Sequence, residues 1–328
     1  MKVLVTGASG FLGGALVRRL TEEGHQVRII ARSHSNFEEI KDLKLEVLAG
    51  DIVNLESLQK ACQGMDSVFH LAGLIAYSKE ARKDMQLINV DGTANVIKAC
   101  ETQSVRRLVH VSSVAAVGSS FDGKTPLDEN SKFNLGELHL GYFDTKRDAE
   151  LLVKAAADRG TLDAVIVNPS TIYGPADARK GSRETQVKVA RGRFPFYTPG
   201  GVGVVSYHDV LDALLLAWQK GRRGERYIIN GENLLIREVF NQIADCAGVK
   251  RPFIYLPRPL IFSVGRVGDV LETLGKKGPL NSETAWTAVL FHWFDASKAR
   301  RELGLTFRPA AEAIEESVRW MKDNGLLY

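Results

Sequence analysis

The chain contains 328 residues, of which 45% are hydrophobic and 25% are charged, and its formal net charge is +4. This length predicts two domains, or one large domain with a smaller attachment. Basic pairs such as Arg106-Arg107 are scattered and interleaved with acidic residues, a pattern typical of solvated surfaces rather than of a nucleic-acid-binding stripe. We therefore expect no nucleic-acid partner.

The cysteines and the apolar runs exclude further classes of protein. Cys62, Cys100 and Cys246 are widely spaced and form no CxxC pair, so neither a disulfide framework nor a zinc site is predicted. We expect a reducing compartment, the cytoplasm, and no metal. The first strand leaves no room for a signal peptide, and the most apolar stretch, residues 256–274, is interrupted by proline and charged residues. No membrane span is expected.

The first half of the chain alternates between apolar runs and helical patterns. Strands are predicted over residues 1–7, 27–31, 45–50, 67–73, 107–113 and 163–169, and helices over 10–23, 57–62, 81–102 and 142–159. Buried strands that alternate with helices predict a parallel sheet covered on both faces. Right-handed crossovers then give a doubly wound α/β fold of the Rossmann type.

The second half of the chain has a different composition. Residues 176–200 are rich in charge, glycine and proline, which predicts a loop or lid. Strands are predicted within 202–210 and 224–231, and helices over 209–220 and near 235–247, 258–274 and 310–324. We expect a dinucleotide-binding domain of residues 1–175 with a returning segment of about 201–228. Residues 176–200 and 229–328 would form a smaller, mainly helical substrate-binding domain and lid.

Three glycines, Gly7, Gly10 and Gly13, follow the first strand directly. Such a turn lets backbone amides approach a pyrophosphate, and the helix N-terminus adds free N–H donors and partial positive charge. Gly7 would form the tight turn, Gly10 would permit close approach of the ligand, and Gly13 would let the helix pack on the strand. A plain βα turn can carry the same residues, but the surrounding alternation favours a nucleotide site.

The spacing GxxGxxG in TGASGFLG resembles that of the short-chain dehydrogenase/reductase superfamily. The motifs AGDI, HLAG, NVDGTANV, HVSSVAAVG, YFDTK and NPSTIYGP extend this resemblance over nearly the whole chain. They are similar to motifs of the extended branch, the NAD-dependent epimerase/dehydratase family. Within it, the chain most resembles the dihydroflavonol-4-reductase-like and hopanoid-associated sugar epimerase-like group. The resemblance implies an oxidoreductase with a small-molecule carbonyl or alcohol substrate.

The resemblance also implies a homodimer. Helices 81–102 and 142–159 occupy the positions at which extended members pair into a four-helix bundle. Apolar residues on these helices, among them Leu87, Leu151 and Leu152, are candidates for that interface. They can instead face only the sheet.

The end of the second strand bears on the choice between NAD and NADP. An acidic residue there would bind the ribose 2′-hydroxyl of NAD, whereas an arginine accommodates a 2′-phosphate. The sequence has Ala31-Arg32-Ser33 at this point, with no acid before Glu38. Arg32 therefore favours NADP(H), although an arginine at a strand end can also be a simple solvated residue.

The resemblance places further residues against the cofactor. Asp51 would accept a hydrogen bond from the adenine amino group, although a carboxylate here can instead cap a helix. Asn89 would lie near the site or serve a structural role. The predicted cofactor contacts are Gly7, Ser9, Gly10, Phe11, Leu12, Gly13, Arg32, Asp51, Ile52, Leu71, Ala72, Gly73, Asn89, Val111, Tyr142, Lys146, Asn168, Pro169 and Ser170.

The predicted catalytic residues are Ser113, Tyr142 and Lys146. Tyr142 and Lys146 lie four residues apart, so one helix face presents both. Carbonyl reduction needs a proton donor, and a nearby ammonium would lower the pKa of a tyrosine from its ordinary value near ~10. The family resemblance selects Ser113 as the neutral donor to the substrate oxygen. Its neighbour Ser112 should then point to the opposite face of the strand.

Other functions remain open from sequence alone. The leading hypothesis is an NADP(H)-dependent oxidoreductase of a ketone or aldehyde, or of a secondary alcohol, similar to dihydroflavonol reductase. A 3-beta-hydroxysteroid-type dehydrogenase is an alternative. The retained Tyr142 and Lys146 disfavour a non-catalytic dinucleotide sensor. No acid follows Ser113 to protonate a leaving hydroxyl, which disfavours a dehydratase. A nucleotide-sugar epimerase stays possible because basic residues could bind its substrate, namely Lys180, Arg183, Lys188, Arg191 and Arg193.

Overall fold

The computed structural model describes residues 1–33, 35, 37, 40–179, 183–276, 278 and 280–327. Strands and helices are numbered in chain order. The central sheet has seven parallel strands, β1 (Lys2–Thr6), β2 (Gln26–Ala31), β3 (Glu46–Ala49), β4 (Ser67–His70), β5 (Arg107–Val111), β6 (Ala164–Pro169) and β10 (Arg226–Ile229). Their spatial order is β10-β6-β5-β4-β1-β2-β3. The strand order reverses between β1 and β4, where parallel sheets bind their ligands.

Helices cover both faces of this sheet. On one face, α1 (Phe11–Glu22) and α7 (Tyr207–Lys220) pack against Val3 and Val5 of β1. On the other face, α2 (Leu55–Cys62), α4 (Gly92–Thr102) and α5 (Gly141–Asp158) pack against Leu4 and the inward residues of the neighbouring strands. Because side chains alternate along a strand, one apolar run supplies both layers of core. The predicted doubly wound α/β fold is confirmed.

The predicted helix 81–102 is interrupted in the structure. It consists of α3 (Arg82–Met85), a π-helical segment (Gln86–Asp91) and α4. A π turn holds one more residue than an α turn, and such turns occur frequently at functional sites. Asn89 lies within this segment, and its side chain is buried. A continuous helical pattern did not predict this insertion.

The prediction that residues 176–200 form a loop or lid is wrong for much of their length. They contain a 3₁₀ turn (Asp177–Arg179), α6 (Glu184–Ala190) and β8 (Phe196–Tyr197), while residues 180–182 lie outside the described part of the chain. The apolar side of α6 packs against α8 (Ile236–Ala247) and α11 (Ala310–Asp323) in one core cluster. The charged residues of α6 face outward, which is why composition alone suggested a loop.

A second, small sheet joins the two halves of the chain. Its strands are β7 (Thr171–Tyr173), β9 (Gly201–Ser206), β11 (Glu232–Leu235) and β13 (Phe291–His292), while β8 pairs with β12 (Ile254–Tyr255). The returning strand β9 therefore pairs outside the central sheet. The two elements that follow it return to that sheet: α7 packs on one face, and β10 pairs with β6. The domain boundaries given above stay a prediction.

Two helices complete the second half of the chain. They are α9 (Arg258–Thr273) and α10 (Ser282–Val289), which pack on each other. The sequence analysis missed α10, although Asn281 is a good helix-capping residue and its side chain accepts a hydrogen bond from the Thr284 amide at 2.9 Å. Among the described residues, no helix has both the length and the apolar character needed to cross a membrane.

Candidate active site

The glycine turn lies at the point where the strand order reverses. Gly7 has a φ of +73°, and a Cβ atom there would lie 2.6 Å from the Ala72 amide nitrogen. A Cβ atom at Gly13 would lie 2.1 Å from the Gly7 carbonyl oxygen, so helix α1 could not sit so close to β1 with any larger residue. Gly10 is the N-cap of α1 and supplies no side-chain cap, while Ser9 beside it is exposed. The first turn of α1, which begins Phe11-Leu12, has no side-chain cap hydrogen bond, and the N-terminus of a helix carries partial positive charge.

The predicted adenosine-side residues lie at the carboxyl ends of the neighbouring strands. Arg32 follows β2 directly and is exposed, and its guanidinium has no hydrogen bond or ion pair with the described residues; Glu38 lies outside them. Asp51 follows β3 and accepts a hydrogen bond from the Val53 amide at 3.3 Å. The N-cap of α2 is Asn54, so the alternative that Asp51 caps this helix is wrong. Ile52 beside it is buried against α4.

Asn89 holds the segment that follows β4. Its side-chain oxygen accepts a hydrogen bond from the Leu74 amide at 2.7 Å, and its amide nitrogen donates to the Leu74 carbonyl oxygen at 3.0 Å and to the Thr145 hydroxyl at 3.2 Å. Leu71 and Ala72 are half-buried, and Gly73 is exposed. A structural role of Asn89 is therefore visible: it connects the predicted cofactor-contacting loop to the helix that bears Tyr142.

The three predicted catalytic residues converge at the ends of β5 and α5. Tyr142 lies in the first turn of α5 and is 8% exposed. Ser113 follows β5; its hydroxyl lies near the phenol of Tyr142 and accepts a hydrogen bond from the Ala115 amide at 3.2 Å. One turn along α5, the buried Lys146 ammonium donates to the Val111 carbonyl oxygen at 3.1 Å. The structure thus places two hydroxyls and one amine within one small region.

Burial dominates the acid–base properties of this group. It raises the pKa of Tyr142 above its ordinary value, and the hydrogen bond from Ser113 acts in the opposite direction. Burial lowers the pKa of Lys146 to about 8, although the Glu150 carboxylate partly counteracts this shift. We expected the Lys146 ammonium to lower the pKa of Tyr142. Among the described groups it does not contribute, because it points to the β5 backbone instead.

The sequence analysis missed a buried carboxylate, that of Glu150, which binds side chains at the carboxyl ends of β5 and β6. Glu150 is 5% exposed, accepts hydrogen bonds from the Ser112 hydroxyl and the Asn168 amide, each at 2.6 Å, and pairs with Arg226 at 3.1 Å. Asn168 also donates to the Ser113 carbonyl oxygen at 2.9 Å. Ser112 therefore points away from Tyr142, as the alternation along β5 predicted. The four-residue spacing from Lys146 was the available signal for Glu150.

The segment after Asn168 is held against the edge strand β10. Pro169 ends β6 in register with Ile229, and the Ser170 amide donates to the Ile229 carbonyl oxygen at 3.0 Å. The buried Ser170 hydroxyl has no hydrogen-bond partner among the described residues. A buried polar group of this kind at a ligand-binding edge indicates a missing partner.

A second missed carboxylate fixes the start of α5. Glu283 of α10 is buried, accepts a hydrogen bond from the Gly141 amide at 3.2 Å, and pairs with Arg82 of α3. Gly141 is the first residue of α5 and directly precedes Tyr142. A carboxylate at a helix N-terminus satisfies an orphan amide and interacts favourably with the helix dipole. Helix α10 thus fixes the position of the tyrosine.

The space around the phenol of Tyr142 is apolar. Tyr77 lies edge-on to the Tyr142 ring, with ring centroids 5.9 Å apart. The same cluster includes further aliphatic and aromatic residues, namely Leu74, Met85, Phe133, Leu135, Phe143, Trp286 and Leu290. A substrate that reaches this hydroxyl would contact these apolar side chains as well as the nearby Ser113 hydroxyl and Lys146 ammonium.

Comparison with known proteins agrees with this geometry. The family model of the 3-beta hydroxysteroid dehydrogenase/isomerase family matches residues 4–202. A Synechocystis sp. protein provisionally named a dihydroflavonol 4-reductase is 32% identical over 98% of this chain and 94% of its own. Sterol demethylase protein B of Methylococcus capsulatus is 33% identical over the full length of both chains. A 2-alkyl-3-oxoalkanoate reductase of Stenotrophomonas maltophilia is 31% identical over 98% of each.

Solved structures share the architecture as well. The crystal structure of gox2253 is 32% identical, covers 99% of each chain and has a TM-score of 0.88. A nucleoside-diphosphate-sugar epimerase from Pseudomonas aeruginosa has a TM-score of 0.80 over 100% of this chain and 99% of its own, but at 24% identity it shows the fold alone. The chain belongs to the 3-beta hydroxysteroid dehydrogenase/isomerase family, within the extended short-chain dehydrogenase/reductases, and is an oxidoreductase.

Proposed function

We propose that the protein is an NADP(H)-dependent oxidoreductase that interconverts an apolar ketone or aldehyde and its alcohol. The observation that carries this proposal is the convergence of Tyr142, Ser113 and the buried Lys146 amine at the carboxyl edge of the parallel sheet. Two hydroxyls there can hold a carbonyl oxygen and deliver a proton to it. The relatives named as reductases support the same reaction type.

The residues of the chain fit a dinucleotide. The tight turn at Gly7 and the uncapped N-terminus of α1 would hold the pyrophosphate, and Asp51 is half-buried beside the adenosine end. The unpartnered Ser170 hydroxyl and the segment Leu71-Ala72 would face the nicotinamide half. When bound, the cofactor supplies or accepts the hydride.

Each catalytic side chain has a distinct role in this proposal. The raised pKa keeps the phenol of Tyr142 protonated at neutral pH, so it can donate a proton to the carbonyl oxygen as that oxygen gains charge. The Ser113 hydroxyl orients the same oxygen. Lys146 carries a positive charge one turn along α5 from Tyr142 and, in this proposal, would contact the cofactor ribose. In the alcohol-oxidising direction the tyrosine would take the proton back.

The substrate class follows from the surroundings of Tyr142. The lining is apolar, whereas a nucleotide sugar would need free basic groups. Two of the basic residues considered for that purpose have other partners: Lys188 pairs with Glu184, and Arg191 donates to the Leu326 carbonyl oxygen. Arg183 is buried over the Tyr173 ring, and its Nη1 has no hydrogen-bond partner among the described residues. Arg193 is exposed, and Lys180 lies outside the described residues. These contacts favour a reductase over an epimerase.

The cofactor choice can be tested on Arg32. We expect the wild type to bind NADPH more tightly than NADH, because the exposed guanidinium can pair with a 2′-phosphate. Arg32→Asp should weaken NADPH binding by roughly 10–100-fold, the worth of one or two charge-assisted hydrogen bonds, with little effect on NADH. Thermal shift and fluorescence titration would measure both. Equal losses for the two cofactors, or tighter NADH binding by the wild type, would refute the NADP(H) assignment.

The reaction itself can be tested with a panel of carbonyl compounds. Apolar ketones and aldehydes should consume NADPH, as followed by its absorbance, whereas nucleotide sugars should not be epimerised. Epimerisation without net cofactor turnover would contradict the reductase proposal.

We also propose a cytoplasmic homodimer: Leu87, Leu151 and Leu152 are all exposed in the single chain, so the alternative that they face only the sheet is disfavoured.

A further inference from the structure

Helix α9 presents an apolar stripe to solvent. Leu260 is 48% exposed, Val267 60% and Val270 59%, and Leu274 directly after the helix is 66% exposed. Their spacing places them along one side of the helix, because residues three, four and seven apart share a face. Single exposed apolar residues are ordinary on a protein surface, but a contiguous stripe of large ones marks an interaction site.

The charges of α9 are divided between its two sides. Its exposed residues include Arg258 and Arg266 but no acid. Both acids of the helix are turned inward and bound: Asp269 accepts from the Ser282 amide at 3.0 Å, and Glu272 accepts from the Asn281 side chain at 2.7 Å. The outer side of α9 is therefore apolar and only positively charged. That combination complements a surface of hydrocarbon and anionic headgroups.

A groove lies beside this face. It lies between α9 and α10, has a volume of about 470 Å³, and is lined by Pro259, Phe262, Ser263, Arg266, Ser282 and Trp286. Phe262 and Trp286 have ring centroids 4.7 Å apart. Trp286 also packs against the apolar cluster that contains Tyr142. An apolar molecule leaving a lipid surface beside α9 would thus meet aromatic side chains that lead towards the phenol.

We propose that the outer face of α9 docks on an anionic lipid surface. In this arrangement Leu260, Val267, Val270 and Leu274 enter the headgroup region, and the exposed Arg266 beside them contacts lipid phosphates. The helix lies in the plane of the surface and does not cross it. The docking itself is independent of the proposed reaction, whereas the use of the groove as a substrate entrance rests on the proposed function.

Vesicle flotation without cofactor or substrate tests the docking separately from the reaction. The wild type should float with vesicles of phosphatidylcholine and phosphatidylglycerol, float less with phosphatidylcholine alone, and lose binding as salt rises. Val267→Glu/Val270→Glu should bind the anionic vesicles roughly tenfold or more weakly, because charged side chains oppose insertion. Val47→Glu/Phe121→Glu, which changes two exposed apolar residues outside α9, is the matched control and should bind like the wild type.

The outcomes separate the possible occupants of the face. No flotation of the wild type, or equal flotation of the α9 double variant, would overturn the proposal. A wild-type mass in light scattering that falls in the double variant would also overturn it, because a second copy of the chain would then occupy the face. If the double variant fails to fold, Arg266→Gln keeps the apolar stripe and should still weaken binding to the anionic vesicles. Unchanged binding by a folded Arg266→Gln would likewise contradict lipid docking.

Discussion

At the scale of single residues, the phenol of Tyr142 is the decisive group. Tyr142→Phe keeps the ring and its packing but removes the proton, so it separates chemistry from folding. We expect kcat to fall by roughly 10²–10⁴, the usual worth of a positioned acid, with little change in NADPH affinity. Steady-state kinetics and cofactor titration would measure both. Tyr77→Phe is the control, since Tyr77 packs edge-on to the same ring and has no assigned proton transfer. Substantial activity of Tyr142→Phe would show that the acid lies elsewhere.

The residues of the site differ in how far the sequence predicted them. Tyr142, Lys146 and Ser113 stand in motifs with fixed spacing, and the structure brings them together. The partners of these residues were not predicted. Glu150 and Glu283 act through contacts with residues 18 to 201 positions away, and no local pattern encodes such contacts. The pKa of Tyr142 depends on burial in the same way, so its direction could not be inferred from a neighbouring lysine alone.

At the scale of helices, the N-terminus of α5 is held by α10. Glu283→Gln keeps the size of the side chain but removes the charge that pairs with Arg82 and faces the Gly141 amide. We expect a loss of stability of about 1–3 kcal/mol, the usual effect of weakening a buried charged hydrogen bond. Because Tyr142 follows Gly141, kcat should fall as well, by less than in Tyr142→Phe, while NADPH affinity stays unchanged.

Denaturant unfolding and steady-state kinetics of Glu283→Gln would check both effects. Glu184→Gln is a suitable control, because Glu184 is an exposed partner of Lys188 on α6. A variant that loses stability with full kcat would show that α10 supports the fold without positioning the tyrosine.

The helices and strands also show where sequence patterns are informative. Central strands such as β5 and β6 were predicted within two residues, since a continuous apolar run has few alternative structures. The π-helical segment around Asn89 and the short helix α10 were missed. Both depend on tertiary contacts: Asn89 is turned inward by its bonds to Leu74 and Thr145, and α10 is covered by α9. Short helices have little stability of their own, so their existence is decided by packing.

At the scale of the whole molecule, the exposed leucines of α5 bear on assembly. Leu151 is 58% exposed on a helix whose other face covers the sheet. If two copies pair through this surface, Leu151→Glu should convert the dimer into a monomer, because a buried unpaired carboxylate is costly in an interface. Light scattering at micromolar concentration would measure the mass. A monomeric wild type would contradict the homodimer, and a dimeric Leu151→Glu variant would place the interface elsewhere.

Stability of the whole molecule should depend on pH through buried histidines. Burial lowers the pKa of His70 to about 3 and that of His292 to about 4, and it lowers the pKa of His110 well below its ordinary value. The unfolded chain takes up these protons near its ordinary pKa of ~6.5. Below about pH 6.5 the unfolded state therefore binds more protons than the folded state. The stability that depends on these histidines being neutral is fully present above about pH 6.5. That stability is lost as the pH falls towards the lower folded values.

His110 offers a direct test of this dependence. Its ring lies beside that of His70, with centroids 5.3 Å apart, and neither ring nitrogen has a hydrogen-bond partner among the described residues. Lys146 and His70 are the charged and titratable groups that lower its pKa in addition to burial. His110→Phe removes a buried unsatisfied polar group and one proton-binding site. We expect the variant to be more stable than the wild type at pH 7.5, and the difference to grow at pH 5, as measured by urea unfolding. Parallel losses of stability in both proteins between these pH values would show that His110 does not contribute to acid sensitivity.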